Sequence, residues 1–321
     1  MKKHFLFTAA LFAALSLGFV SCENPDDSDL LQQIEDLKSE LMDVKDMLSD
    51  ADKDKDKGSD KDEKPSSDSG DKEDTETPVS CFTPAAFSVS STKQVYFSPG
   101  NLQYHPANKE WRFAPSQLDY IGEANRYCSS TYNGWLDLFG WSTSATHFGV
   151  STSTSSSNYS GSFVDWGTNQ ISDDVPNTWR TLTNAEWEYL LETRTNASLK
   201  GVAEVNGVNG LILLPDNWTC PDGITFKPGF HSSDGWNYYA AYQTFTADQW
   251  SKIEAAGAVF LPAAGYRSGS AVGYVQDYGY YWSATEDDSG FARCLYFYSD
   301  AAGMGGNYRN LGQSVRLVKD L

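Results

Sequence analysis

Residues 51 to 79 read ADKDKDKGSDKDEKPSSDSGDKEDTETPV and carry almost no apolar side chain. Such a segment cannot bury enough surface to offset the entropy lost on ordering, so it is expected to stay disordered. Its charges favour an extended course. It divides the chain: whatever packs a core must lie to one side of it. Downstream the composition reverses. All ten tryptophans fall between Trp111 and Trp282, glycine, serine and asparagine are abundant, and charge is sparse. A stretch of about 240 residues is an ordinary size for one domain. Residues 80–321 are therefore read as one globular domain and 51–79 as a charged stalk.

The chain opens MKKHFLFTAALFAALSLGFVSC, a basic start followed by an apolar run from Phe5 to Val20. The run is short for a membrane span and reads as an export signal over residues 1–21. Phe19-Val20-Ser21 before Cys22 resembles a bacterial lipobox, with Phe19 where leucine is usual. That resemblance implies lipidation at Cys22, hence attachment to the outer membrane; each buried methylene of an anchor stabilises attachment by about 0.8 kcal/mol. The acidic patch at 22–27, with Glu23, Asp26 and Asp27, is similar to the signal that sends Bacteroidetes lipoproteins to the cell surface. Residues 28–50 place Leu30, Ile34, Leu37, Leu41, Val44 and Leu48 at alternating steps of four and three. This heptad stripe predicts an amphipathic helix and, if it pairs, a short coiled coil that makes a homo-oligomer. The other outcome is a single helix that frays, since one of this length is marginal in water.

Charge narrows the partners. Residues 23 to 79 hold 21 Asp and Glu against 8 Lys, and residues 80 to 321 hold 22 acids against 14 bases. Nothing here neutralises phosphates, so nucleic acid is not an expected partner. Besides Cys22 there are Cys81, Cys128, Cys220 and Cys294. An exported protein permits disulfides, and four cysteines allow three pairings, among which spacing does not choose. The spacings fit no zinc pattern, and no metal site is expected from them.

Within 80–321 the expected class is α+β. Gln94–Phe97, Leu102–Tyr104 and Trp111–Phe113 have strand character, with a turn at 105–109. Arg293–Tyr298 and Ser314–Val318 match them near the C-terminus. Both ends are expected to supply edge strands, and the second half to be rich in long loops. Two helices are signalled by capping boxes, Thr183 with Glu186 and Thr246 with Gln249, each followed by a tryptophan. Each helix precedes an apolar strand ending in Leu-Pro, Gly210–Pro215 and Gly257–Pro262, a weak internal echo.

On these residues a resemblance emerges. TLTNAEWEYLL is similar to a helix of the sulfatase-modifying, formylglycine-generating branch of the C-type lectin fold. FLPAAGYRSG, YYWSATE, ARCLYFYSD and GQSVRLVKDL, in that order, resemble Bacteroidetes surface lipoproteins of this fold and the variable proteins of diversity-generating retroelements. The likeness spans most of residues 85–321. It implies a C-type-lectin-like domain of small antiparallel sheets, with both termini paired in one sheet and C-terminal loops forming a binding face. The chemistry of the enzymatic branch is not expected. Its reactive cysteine pair has no match, and Cys294 sits in a strand with no neighbouring histidine to lower its pKa. His105, His147 and His231 are scattered and form no metal triad. Asp216-Asn217-Trp218 departs from the calcium signature of sugar-binding lectins, so calcium is at most a weak expectation. An enzyme of the formylglycine-generating type and a structural subunit of a surface assembly remain the alternatives.

The aromatic run remains. Gly273–Asp288 packs Tyr274, Tyr278, Tyr280, Tyr281 and Trp282 within nine residues. Tyr281 and Trp282 are expected in the core. Tyr274, Tyr278 and Tyr280 alternate with Gly273, Gln276, Asp277 and Gly279, and tyrosine offers a rigid face and a hydroxyl at low entropic cost. A second, glycine-rich cluster runs from Ser299 to Asn310. The two clusters flank Arg293–Tyr298 and are expected on one face. The candidate site is Tyr274, Tyr278, Tyr280, Asn307, Tyr308 and Arg309, for a glycan or a protein ligand. The retroelement resemblance further implies Ser268, Ser270, Asp277, Asp300 and Asn310 as display positions.

Overall fold

The computed structural model describes residues 84–232, 238–288 and 290–321. Cys22, the segments where a helix (28–50) and a charged stalk (51–79) are expected, and Cys81 lie outside the described residues. Among those described, no helix is long and apolar enough to cross a membrane.

The chain forms β1 (Phe87–Ser88), β2 (Gln94–Phe97), β3 (Leu102–His105), β4 (Glu110–Phe113) and β5 (Arg180–Thr181), then helix α1 (Asn184–Glu188). There follow β6 (Lys200–Val205), β7 (Val208–Leu213), the single turn α2 (Tyr239–Tyr242), β8 (Thr244–Phe245) and α3 (Ala247–Ala255). The last run is β9 (Val259–Pro262), β10 (Tyr266–Ser268), β11 (Ala271–Gly273), β12 (Gly279–Glu286), β13 (Phe291–Tyr298), β14 (Ala301–Tyr308) and β15 (Leu317–Asp320). The architecture is α+β with small, mostly antiparallel sheets. One sheet has the order β1-β2-β15-β5, a second β8-β6-β7-β9, a third β12-β13-β14, and two hairpins complete the set.

Both capping boxes form. Thr183 Oγ1 accepts from the Glu186 amide while Glu186 reaches back to the Thr183 amide, and Thr246 and Gln249 repeat the arrangement. Each satisfies two donors that a helix start leaves orphaned. Helix α3 stops at Gly257, whose φ of +90° is left-handed and open to glycine. Helix α1 instead widens into a π turn over Tyr189–Thr193. The two Leu-Pro strands meet: β7 and β9 pair antiparallel from Gly210↔Pro262 to Leu213↔Val259.

Three expectations are corrected. The chain ends do pair, Val318 opposite Phe97, but as interior strands, because β1 and β5 take the two edges. Strand β15 begins at Leu317; Ser314 instead bridges to Tyr280 and Trp282 by single backbone bonds. The C-terminal third is less loop-rich than expected. Glycine lowers strand propensity, so AAGMGGNY reads as a loop, yet it pairs with β13 along its whole length. Tertiary pairing overrides the local preference.

Buried side chains form three clusters. Trp187, Leu190 and Leu191 pack with Phe87, Phe97, Tyr281, Leu295 and Phe297. Trp141, Trp166, Trp282, Ala292 and Cys294 form a second, and Trp250, Ile253, Ala258 and Phe260 a third. Two of the buried indoles are satisfied across the domain: Trp141 Nε1 donates to Ser283 O at 2.9 Å and Trp282 Nε1 to Phe139 O at 2.7 Å.

Asp137 is fully buried and accepts from the Ile121 amide at 2.8 Å and Asn125 Nδ2 at 2.7 Å. Burial pushes its carboxyl up to about 6 despite these bonds. An unfolded Asp titrates near 4, so between the two values the folded chain holds a proton that the unfolded chain has lost. Stability from this group therefore falls as pH rises, by about 1.4 kcal/mol per unit within that window, and levels off above it. The stability advantage of the native chain over Asp137→Asn, measured by urea unfolding, should shrink from pH 4 to pH 6. A constant difference would show that Asp137 does not titrate there.

Candidate functional site

The turn between β11 and β12 is held in an uncommon backbone conformation. Tyr274 and Gln276 have φ of +57° and +70°, where side chains other than glycine are strained. The surroundings fix it from several sides. Gln276 N donates to Ala263 O, and Gln276 Oε1 accepts from Asn209 N, each at 2.7 Å. Gln276 Nε2 donates to Tyr120 Oη at 2.7 Å, and Asn209 Nδ2 to Gln276 O at 2.8 Å. Tyr239 Oη donates to Asp277 O at 2.8 Å. Beneath the turn, a Cβ on Gly265 would stand 2.2 Å from Gly273 O, so only glycine lets the two segments approach.

This rigid turn sets out a connected group of tyrosines. The rings of Tyr274 and Tyr278 stack at 4.8 Å and 9°. Tyr266 stacks on Tyr274 at 5.5 Å and meets Tyr280 edge-on at 5.8 Å. Tyr278 packs against Tyr280 at 6.0 Å and Tyr298 at 5.5 Å, and Tyr298 stacks on Tyr296 at 5.8 Å. Tyr274 is exposed and the other five are half-buried. Tyr296 lies over a glycine floor: Cβ atoms on Gly303 and Gly305 would meet it at 3.2 Å. Tyr280 is also seated on the cluster around Trp282 and Cys294.

Burial raises the phenols of Tyr266, Tyr278, Tyr280 and Tyr298 above the ordinary tyrosine value, with neighbouring phenols adding to the rise. For Tyr278 the carboxylates of Asp277 and Asp300 act in the same direction. These hydroxyls stay protonated at neutral pH. Asp300 Oδ1 is buried and accepts no hydrogen bond. The surface thus combines apolar ring faces with phenolic donors.

The six expected site residues do not come together. Strand β13 pairs with β14 without a shift from Phe291↔Tyr308 to Tyr298↔Ala301. Opposed residues share a face, and faces alternate along a strand. Tyr296 and Tyr298 point to one face, whereas Tyr308 joins Phe291 on the other, the rings 4.3 Å apart. Asn307 shares the face of Tyr296 but lies four residues along, about 13 Å away. Arg309 is 3% exposed. Its Nε donates to Phe291 O at 3.0 Å, it pairs with Glu286, and its guanidinium sits 4.5 Å from the Trp141 ring centroid. Asn310 is also buried and accepts from Ser156 Oγ at 2.7 Å. Ser268 lies in β10, half-buried, and Ser270 in its hairpin turn, exposed. Tyr274, Tyr278 and Tyr280 do form one surface, joined by Tyr266, Tyr296 and Tyr298. The period-two spacing of Tyr278, Tyr280 and of Tyr296, Tyr298 was the available signal for the last pair. Nothing local marked Tyr266 or Gln276.

Asp216, part of the weak calcium expectation, accepts from Ser88 Oγ at 2.6 Å, Gln94 Nε2 at 3.0 Å and Arg194 Nη1 at 3.0 Å. Both its oxygens serve this network, which ties β1 and β2 to the end of the π turn. No group of three or more His, Cys, Asp or Glu among the described residues is placed to hold a metal. Cys128 and Cys294 are buried free thiols and Cys220 an exposed one. Burial pushes the Cys294 thiol up to about 12, far from a nucleophile's range.

The fold and surface describe an α+β domain with a tyrosine face built on its C-terminal third. A family model described as a domain of unknown function (DUF8237) matches residues 242–318, the span from the end of α2 into β15. No curated protein and no solved structure matches the chain.

Proposed function

We propose that this protein is a cell-surface lipoprotein whose C-type-lectin-like domain binds a glycan or protein ligand through the tyrosine face. The observation that carries the reading is the strained, multiply bonded turn at Tyr274–Asp277. It spends hydrogen bonds from Ala263, Asn209, Tyr120 and Tyr239 on presenting two stacked rings outward. Backbone strain held by its surroundings is typical of binding sites, because preorganisation lowers the entropy lost on binding. The lectin-like reading of the fold draws support from the pairing of β2 with β15. The anchor reading rests on the lipobox-like approach to Cys22 and the charged stalk.

A glycan and protein array probed with the full chain tests the binding reading; no ligand on either would defeat it. Cys22→Ser tests the anchor. In cell fractionation, the variant should leave the membrane fraction almost entirely. A variant that stays in that fraction would overturn lipid anchoring at Cys22.

A further inference from the structure

Strand β14 is an open edge. It forms one side of the β12-β13-β14 sheet, and among the described residues no backbone hydrogen bond reaches the outer side of Ala301–Asn307. The opposite edge is covered: β12 bonds to Ser314 through Tyr280 O and Trp282 N, and to Leu182 through Ala284 N. The edge strands β1, β5 and β8 are two residues each and β9 is four, whereas β14 has eight. Proteins usually blunt an exposed edge with charge, proline or a bulge. Strand β14, AAGMGGNY, has no charge and no proline, and its pairing to β13 has no bulge.

We infer that the outer edge of β14 accepts an extended segment of another protein as a fourth strand. Main-chain hydrogen bonds would supply affinity, and side chains at alternate positions specificity. Gly303 and Gly305 leave the floor of one face open, and the Tyr296 ring leans across both. The segment's side chains on that face meet the ring. Charge selects the occupant. Asp300 precedes the strand, and Asp287 and Asp288 stand by its far end, with Arg293 3.3 Å from Asp287. An uncharged middle with Lys or Arg at its flanks complements this edge. A second copy would bring Asp300 and the acid excess of residues 80–321 against themselves. The inference stands on the edge and is independent of ligand binding at Tyr274 and Tyr278.

A phage-displayed library of random peptides of about twelve residues, enough to span β14 with flanks, is panned on the full chain in detergent. Enriched peptides should carry basic flanks and no central proline. N-methylation of every second central amide should weaken binding more than tenfold in one phase and leave it unchanged in the other. Amide exchange across Ala301–Asn307 should slow on binding. No enrichment, or indifference to N-methylation in both phases, would overturn the inference. Protection of β14 that grows with protein concentration without peptide would assign the edge to a second copy and overturn it equally.

Discussion

Replacing Tyr274 and Tyr278 together by alanine should weaken ligand binding roughly 30- to 700-fold, the equivalent of about 2 to 4 kcal/mol, while the domain stays folded. Tyr274 and Tyr278 stack on each other above a turn whose hydrogen bonds come from Gln276, Asn209, Tyr120 and Tyr239. Truncation leaves those bonds in place. What the folded state loses is the Tyr274–Tyr278 stack and the contacts of these two rings with Tyr266, Tyr280 and Tyr298. At about 0.5 to 1.5 kcal/mol for each ring pair, the melting temperature should fall by several degrees while the transition stays cooperative. Tyr280 is less suited to the test, because it also packs on the Trp282 cluster. Its alanine variant should lose stability and binding together. Binding and melting both unchanged in the Tyr274, Tyr278 double variant would mean that the ligand is held elsewhere.

Arg309→Ala should act in the opposite way, destabilising the domain by about 2 to 4 kcal/mol and lowering its melting temperature by about 5 to 15 °C. The substitution strips a donor from Phe291 O, leaves space over the Trp141 ring and unpairs Glu286. Glu286 is more than half exposed, so its ion pair contributes little of that figure; the buried donor and the packing contribute most. Lysine should not rescue it, because an ammonium cannot reproduce the planar fork that bonds Phe291 and lies on the indole. The folded fraction should bind ligand at the Tyr274 end as the native chain does. A variant that melts normally and fails to bind would return Arg309 to the site.

Both predictions turn on one point of register. The sequence marks Ser299–Asn310 as glycine-rich and polar, and such a run reads as a loop beside the tyrosines. Pairing with β13 turns it into a strand, and the pleat then sends Tyr296 and Tyr308 to opposite faces. Burial of Arg309 follows from Trp141 and Phe291, which lie 168 and 18 positions away in the sequence. No local pattern reports such neighbours. Tyr274, Tyr278 and Tyr280 were legible because consecutive turn and strand residues stay near one another however the chain folds. Tyr266 joins them only because Gly265 lets its segment lie against Gly273.

By itself the sequence determined what depends on neighbours a few residues apart. The capping boxes at Thr183 and Thr246 are of that kind, because a helix start is satisfied by side chains three positions on. So is strand character in Gln94–Phe97 and Arg293–Tyr298. Only the tertiary structure decided which strands are edges, which face each tyrosine takes, and whether an arginine meets solvent or an indole. Those outcomes depend on which distant segments pair, and a shift of one residue in that pairing would exchange the two faces.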